Sequence, residues 1–336
     1  MELYLTKHGT KVSAKNGKLY IKLPTGERKT YPINTIDALI IFSRASFSGY
    51  AIRKLMSLNI PVFFTTSTGK LLGTLQTYNI KNLPLREKQY NFYLSLFNET
   101  KFRLAKYTIK TKITNSYRMM RRWLRNKKLQ ENITEIEESY KNILYKLERI
   151  KIHDYDGLRG VEGYFASRYF SNIADLVPRT WNFYQRNKHP PKDPLNALLS
   201  FGYTLLFQRM YTYIIIKNLD PYFGFLHKIK YSNATLASDL MEEFRSPIID
   251  SITLELINKH KVNPKLDFTK DEDSQGYKMS RELIKKYILL FNKKLASHYQ
   301  TKEGELSYED ILRKKVNSFA KVLKNKQNNL YYFIIR

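Results

Sequence analysis

The middle of this sequence contains almost none of the residues that end helices. No glycine occurs between residues 74 and 156, and no proline occurs between residues 85 and 177. Glycine and proline mark turns and interrupt helices, so their absence over such a span indicates long helices.

The first 80 residues show a different pattern. Apolar side chains alternate with others over residues 19–23, as in a half-buried strand, and a Pro-Thr-Gly turn follows. The apolar runs 38–42 and 60–65 have the length of buried strands, and the segment 49–59 between them has helical spacing. These features indicate a small sheet.

At 336 residues the chain is long enough for two domains. We therefore predict an α+β fold, with a small β-rich N-terminal domain over residues 1–80 followed by a larger all-α domain over residues 81–336. In the second domain we expect an apolar helix from about Leu195 and a surface loop or hairpin at residues 271–276. The last segment, 330–336 (LYYFIIR), is too apolar for a free tail, so we expect it to pack on the protein or on a partner.

The chain is strongly basic, with 58 Lys and Arg against 30 Asp and Glu and a formal charge of +28. Such a field attracts polyanions, of which nucleic acid is the commonest; a solvated lysine-rich surface is the alternative. Residues 101–128 contain eleven Lys or Arg and no acidic residue. Within them Arg118, Arg121, Arg122 and Arg125 share one helical face by their spacing. We predict that this face binds the phosphates of a nucleic acid.

Several classes of protein are excluded. The chain has no cysteine, which rules out a disulfide scaffold, a Cys-ligated zinc site and a thiol nucleophile. It also lacks P-loop, G-x-S-x-G and H-E-x-x-H motifs. The start has no apolar leader, and the most apolar stretch, 195–216, contains Gln208 and Arg209. We therefore expect a cytoplasmic protein that makes no use of a membrane.

A candidate metal site follows an aromatic turn at residues 220–226. His227 comes directly after this turn, and Asp239, Glu242 and Glu243 lie at i, i+3 and i+4 in a segment of helical character. Carboxylates crowded on one helical face repel one another, and a bound cation would relieve that repulsion. Imidazole and carboxylates together suit Mn²⁺ or Mg²⁺. An ordinary amphipathic helix with a solvated acidic edge is the open alternative.

A second candidate is Glu162, which lies in the glycine-flanked segment GLRGVEG at residues 157–163 together with Arg159. The small neighbours would let a phosphate or a metal ion approach the carboxylate closely. The alternative is a glutamate near a helix N-terminus, where the helix dipole favours negative charge.

Three segments resemble the integrase family of CRISPR adaptation, the metal-dependent DNA endonucleases that insert new spacers. The segments are GLRGVEGYFASRYF (157–170), DPLNALLSFGYTLLF (193–207) and LDPYFGFLHKIKYSNATLASDLMEEFRSPIID (219–250). They follow the order and spacing of the family. Gly163 departs from the alanine that is usual in the family, and residues 232–234 replace its usual Gly-Arg stretch.

The resemblance implies a set of functional residues. The metal ligands would be Glu162, His227 and Glu242, with Asp239 as a further acidic residue needed for catalysis. Magnesium or manganese would be the cofactor, and the 3′-OH of a DNA end would attack a phosphodiester at the border of a repeat. The expected substrate is double-stranded and branched DNA. Apart from the resemblance, we expect basic residues close in sequence to these motifs to hold that DNA; they are Arg159, Lys228, Lys230 and Arg245.

The resemblance also implies an assembly. The chain would form a homodimer through its N-terminal domain, and a small dimeric adaptation partner would bridge two such dimers. One alternative is a homologous integrase of a mobile element, although such relatives usually carry an extra C-terminal DNA-binding module. Another is a non-catalytic scaffold that binds nucleic acid, for which RNA is a candidate.

Overall fold

The computed structural model describes residues 1–66, 71–75, 77, 83–95, 98–127, 131–188, 190–228, 234–272, 275–301, 303–325 and 327–335. The chain divides into two compact units, Met1–Asn82 and Leu83–Arg336. The first unit is rich in strands and the second in helices, so the predicted α+β fold is confirmed.

Strands dominate the first unit. Its elements are β1 Glu2–Leu5, β2 Thr10–Lys15, β3 Lys18–Lys22, β4 Arg28–Pro32, β5 Ala38–Ile41, β6 Ala45–Phe47, α1 Gly49–Ser57, β7 Val62–Thr65 and β8 Leu71–Leu75. One sheet has the strand order β1-β5-β7-β8, and another has the order β4-β3-β2-β6. Strand β5 pairs in parallel with β1 and β7 and is buried along its whole length. This matches its continuous apolar sequence, since parallel strands have both faces covered.

The strand pattern read from residues 19–23 corresponds to β3, in which Leu19 and Ile21 are buried. Strand β3 pairs antiparallel with β2 across a turn at Asn16 and Gly17, both of which have positive φ. An Asn-Gly pair suits this turn because both central residues of a tight hairpin need that conformation. The predicted helix at 49–59 is α1, and its buried Leu55 joins the core of this unit.

Helices form the framework of the second unit. They are α2 Leu83–Leu94, α3 Glu99–Asn126, α4 Glu131–Glu148, α5 Tyr155–Leu176, α6 Pro194–Ile216, α7 Thr235–Met241, α8 Ser251–Asn258, α9 Arg281–Ala296 and α10 Tyr308–Leu323. The unit also contains short hairpins, β9 Phe268–Lys270 with β10 Tyr277–Met279 and β11 His298–Thr301 with β12 Gly304–Ser307. The first hairpin flanks the acidic segment 271–276, where a loop or hairpin was predicted.

Helix α6 is buried over most of its length, as expected for a helix that is apolar on all sides. It begins where the sequence predicted. Asp193 caps it by accepting a hydrogen bond of 2.8 Å from the Asn196 N–H, and Pro194 occupies the first position, where its missing N–H costs nothing. Within the described residues, no helix is long and apolar enough to cross a membrane.

Candidate active site

The segment that carries the predicted acidic cluster changes its helix type twice. Helix α7 is followed by a 3₁₀ turn, Glu242–Phe244, and by a π-helical turn, Arg245–Asp250. The prediction that Asp239, Glu242 and Glu243 crowd together on one face is wrong, because their carboxylates have different partners. Asp239 accepts hydrogen bonds from the loop before α7, Glu242 pairs with Lys112 and Arg245, and Glu243 pairs with Lys315. All three are buried, and each has its own partners.

Asp239 organises the loop that precedes α7. Its carboxylate accepts hydrogen bonds from the N–H groups of Phe225 at 2.6 Å, Leu226 at 2.9 Å and His227 at 3.2 Å. The Nδ1 atom of His227 also lies 2.6 Å from Asp239 Oδ1. Burial alone would lower the pKa of His227, but the hydrogen bond and the charge of Asp239 raise it above its ordinary value. Asp239 thus orients the imidazole and leaves Nε2 as the nitrogen for a ligand.

Gly224 lets the loop approach the helix this closely. A Cβ atom at Gly224 would overlap Asp239 Oδ2 and lie 2.9 Å from the backbone nitrogen of Leu236. The Gly224 N–H also donates a hydrogen bond of 3.1 Å to Thr235 Oγ1. The sequence analysis did not predict this role of Gly224. The signal that could have indicated a close backbone approach was a single glycine among aromatic residues at 222–225.

Glu242 lies between two cations. Its Oε1 atom is 2.8 Å from Nη2 of Arg245, and its Oε2 atom is 2.7 Å from Nζ of Lys112. Burial would raise the pKa of Glu242, but the charges of Arg245, Lys112 and His227 hold it at about 2. The carboxylate is therefore ionised at neutral pH.

The same Lys112 ammonium contacts Oε1 of Glu162. Glu162 lies two turns into α5, which begins at Tyr155 behind the N-cap Asp154. The alternative explanation of Glu162 as a glutamate at a helix start is therefore wrong, because the dipole effect fades within the first turn. Lys112 links carboxylates from two separate elements, a contact that sequence reasoning missed.

The donor atoms suit a divalent cation that prefers oxygen. Glu162 and Glu242 converge on one cation position, which Lys112 Nζ holds, and the charge of His227 acts on Glu242. Carboxylates with an imidazole fit Mg²⁺ or Mn²⁺. Over the described ranges, no group of three or more His, Asp or Glu side chains lies at metal-binding spacing. The three implied ligands thus share a neighbourhood, but they are not drawn around one point.

A cavity of about 330 Å³ opens beside these carboxylates. Its lining includes Lys112, Glu162, Arg186, Lys188 and Arg245. Guanidinium and ammonium groups gathered in this way suit a phosphate, because their N–H donors match its oxygens. The sequence indicated only a turn near residues 188–194, so the contribution of Arg186 and Lys188 was not foreseen.

A buried network supports Arg245 in this cavity. Asp250 accepts hydrogen bonds from Tyr203 Oη at 2.6 Å and from Tyr169 Oη at 2.7 Å. Burial raises the pKa of Asp250 to about 6. The guanidinium of Arg245 lies 4.8 Å from the centre of the Tyr203 ring. The network therefore positions the cation that neutralises Glu242.

The C-terminal segment 330–335, here called the C-terminal strap, packs on the second unit. The Phe333 N–H donates to Glu243 Oε1 at 3.0 Å. Asn115 Nδ2 donates to the carbonyl groups of Glu243 at 2.9 Å and Phe333 at 2.8 Å, and the Ile335 N–H donates to Asn115 Oδ1 at 3.0 Å. Of the two predicted outcomes for this segment, packing on the protein is confirmed.

The strap links two of the elements that carry the site, α3 and the turn Glu242–Phe244. Asn115 lies one turn after Lys112 in α3, and Glu243 directly follows Glu242. The second oxygen of Glu243 accepts a hydrogen bond of 2.7 Å from Lys315 of α10, and both side chains are completely buried.

The basic run lies largely on α3, as predicted. Arg121 is half-buried, and the other arginines of the predicted DNA-binding face are exposed; they are Arg118, Arg122 and Arg125. Part of the positive charge serves the fold instead. Lys106 Nζ donates to the carbonyl of Glu148 at 2.8 Å, and Lys127 Nζ donates to that of Leu176. These carbonyls lie at the ends of α4 and α5, where helix dipoles favour cations.

The other residues predicted to contact DNA have different surroundings in the structure. Arg159 and Lys228 both face the exposed Asp156, with Lys228 Nζ 3.8 Å from its carboxylate. Arg245 lies inside the site, paired with Glu242. Lys230 falls outside the described residues.

Comparison with known proteins gives a consistent result. The family model described as "CRISPR associated protein Cas1" matches residues 3–293. The "CRISPR-associated endonuclease Cas1 3" of Thermus thermophilus is 31% identical over 340 residues, which covers 100% of this chain and 95% of that protein. A casposase bound to its integration product is similar in structure, with a TM-score of 0.84 and 27% identity over 98% of this chain and 92% of that one. A Cas6-RT-Cas1–Cas2 complex chain has a TM-score of 0.83 at 20% identity, covering 99% of this chain and 36% of its own length, and shows the shared fold alone.

Proposed function

This chain belongs to the Cas1 family of CRISPR-associated proteins, and on that premise we propose that it is a metal-dependent DNA endonuclease and integrase that inserts short DNA fragments into a CRISPR array. The observation that carries the proposal is the convergence of Glu162 and Glu242 on one cation position, beside a cavity lined by cations. Phosphodiester transfer develops negative charge on the phosphate, and such a site is arranged to neutralise it.

Glu162, His227 and Glu242 would hold Mg²⁺ or Mn²⁺. When bound, the ion supplies Lewis-acid polarisation of the phosphate. Glu242 is already ionised at neutral pH, so it binds a cation without first losing a proton. The hydrogen bond between Asp239 and Nδ1 of His227 fixes the orientation of the ring and leaves Nε2 available. The histidine therefore serves as a metal ligand rather than as a general base.

The cations of the cavity act on the DNA. Arg186, Lys188 and Arg245 would hold the scissile phosphate and offset the charge that builds on its oxygens. The 3′-oxygen of an incoming end forms a bond to phosphorus, and the bond from phosphorus to the 3′-oxygen of the target strand breaks. Water in place of the 3′-OH gives strand cleavage, so endonuclease and integrase activity share one site.

The wider assembly is proposed from the family to which the chain belongs. The exposed arginines of α3 would hold backbone phosphates without reading bases, as suits an enzyme that accepts arbitrary DNA. We propose a homodimer formed through the first unit. A small dimeric adaptation partner would bridge two dimers. The name of the Cas6-RT-Cas1–Cas2 complex gives Cas2 together with its own Cas1.

The test is a strand-transfer assay with a labelled short duplex bearing free 3′-OH ends, supercoiled plasmid and Mn²⁺. We expect the wild type to join label to plasmid, and Glu162→Gln, His227→Ala or EDTA to abolish joining. Asp175→Asn, an exposed residue of the same helix α5, and His298→Ala, an exposed histidine, are the matched controls. Joining that survives Glu162→Gln would contradict the assignment, and DNA binding without joining or cleavage would favour a non-catalytic scaffold.

The likeness to a casposase supports a second candidate, an integrase serving a mobile element. The same assay separates the two functions through its target. Insertion concentrated at the ends of a CRISPR repeat in the plasmid indicates adaptation, whereas insertion indifferent to the repeat indicates the mobile-element function.

A further inference from the structure

Lys112 occupies a position that no sequence motif assigns to it. Its side chain is 14% exposed, and its ammonium lies 2.7 Å from Glu242 Oε2 while also contacting Glu162 Oε1. These are the carboxylates that the proposed function gives to the metal ion. A lysine and a divalent cation would therefore use the same oxygens.

The two carboxylates need a cation between them to stay close. Glu162 comes from α5 and Glu242 from the turn after α7, so their approach depends on tertiary packing. Two ionised carboxylates repel each other strongly in a largely buried site. Arg245 pairs with the other oxygen of Glu242, and among the ion pairs of the described residues Lys112 is the cation that contacts both glutamates.

We propose that Lys112 is a resident cation that competes with the metal ion: its ammonium holds Glu162 and Glu242 together in the metal-free protein and leaves them when the ion binds. This inference rests on the proposed function, because it requires an ion at those carboxylates. The displaced ammonium has a place to go, since Lys112 also lines the cavity proposed to take the phosphate. Lys112 thus keeps the site assembled while it is empty and becomes available to DNA once the ion has entered.

If Lys112 competes with the metal ion, replacing it should raise the affinity for the ion rather than lower it. Lys112→Met removes the competitor, so Mn²⁺ should bind more tightly than to the wild type, by about tenfold or more, equal to about 1.4 kcal/mol. Without metal, the same variant should unfold at a lower temperature, because its carboxylates are left facing each other. A lysine that merely supported the metal site would give weaker binding when removed. Lys112→Arg keeps the cation and should resemble the wild type in both measurements.

The experiment is titration of Mn²⁺ into the full chain without DNA, followed by calorimetry. Lys110→Met is the matched control, because Lys110 lies two residues earlier on α3 and forms an exposed pair of 2.9 Å with Glu148. Glu162→Gln should remove the binding event and so identify the site that is being titrated.

A second measurement uses the wild type alone and remains valid if Lys112→Met does not fold. Acetylation of lysines by acetic anhydride, with and without Mn²⁺, is followed residue by residue by mass spectrometry. Labelling of Lys112 should rise several-fold when Mn²⁺ is present, because its ammonium has been released, while labelling of Lys110 stays constant.

The outcomes separate the two proposals. Tighter binding by Lys112→Met, or increased labelling of Lys112, supports the competition. Equal or weaker Mn²⁺ binding by Lys112→Met, or unchanged labelling while Mn²⁺ binds, overturns the competition and leaves the proposed function standing. If the wild type binds no Mn²⁺ at all, the metal-dependent function fails and the role of Lys112 fails with it.

Discussion

Replacing Lys315 by methionine should destabilise the second unit severely. The Lys315 ammonium lies 2.7 Å from Glu243 Oε2, and both side chains are completely buried. The other oxygen of Glu243 accepts the Phe333 N–H of the C-terminal strap. Methionine fills a similar volume but leaves the glutamate as a buried charge without its cation. Removing one partner of such a pair costs about 3–5 kcal/mol.

That cost is large against the total stability of a folded protein, which is about 5–15 kcal/mol. The second unit can be followed selectively, because the only tryptophans of the chain, Trp123 and Trp181, both belong to it. Urea unfolding monitored by tryptophan fluorescence at pH 7 should therefore shift to a much lower midpoint in Lys315→Met. A loss below about 1 kcal/mol, the size expected for an exposed pair, would refute the reasoning.

The pH dependence provides a second check on the same variant. Burial raises the pKa of Glu243 above its ordinary value, and without Lys315 only the hydrogen bond from the Phe333 N–H opposes that effect. A carboxyl whose pKa is raised by folding binds protons more tightly in the folded state, so stability falls as the pH rises through that range. The loss of stability caused by Lys315→Met should therefore become smaller as the pH is lowered towards 4.5. The double variant Glu243→Leu with Lys315→Met, which buries no charge, should recover most of the lost stability at pH 7.

Three further predictions address the site and the DNA surface. Asp239→Asn should lower strand transfer by about 10–100-fold, because the partner that orients His227 is weakened; an unchanged rate in the plasmid assay would contradict that role. Burial raises the pKa of Asp250 from 3.8 to about 6, so the second unit should lose about 2 kcal/mol of stability as the pH rises from 4 to 7. Urea unfolding at both pH values should show this loss in the wild type but not in Asp250→Asn. Arg125→Gln should reduce the slope of log affinity against log salt for duplex DNA by about 0.9, if its exposed guanidinium binds one phosphate; an unchanged slope would contradict that contact.

Local patterns in the sequence were sufficient for some elements of the fold, although the hairpin β11–β12 in the domain expected to be all-α was not predicted. The alternation of apolar side chains at 19–23 corresponds to strand β3, and the long stretch without glycine or proline contains helix α3. Both patterns depend only on residues that are neighbours along the chain. The change of helix type after α7 could not be read in this way. Helical spacing predicted one acidic face, whereas tertiary partners on α3 and in the strap draw Glu242 and Glu243 apart.

The contacts missing from the sequence analysis are those between distant segments. Lys112 stood in a run of like charges, and nothing near it pointed to Glu162, 50 residues away, or to Glu242. His227 and Asp239 are joined across a short loop, so their association was within reach of sequence reasoning. Arg186 was missed because its partners come from α6 and from the turn that follows α7.

The C-terminal strap has a consequence for synthesis of the protein on the ribosome. Glu242 and Glu243 leave the ribosome long before Phe333 and Ile335, which tie their turn to α3. At about 5–20 residues per second, the roughly 90 intervening residues take about 5–18 s to make. During this interval the nascent chain already contains Glu162, His227 and Glu242, but the turn that carries Glu242 and Glu243 lacks its hydrogen bond from Phe333. Synthesis of the strap is therefore the last step that this part of the second unit needs before its hydrogen bonds are complete.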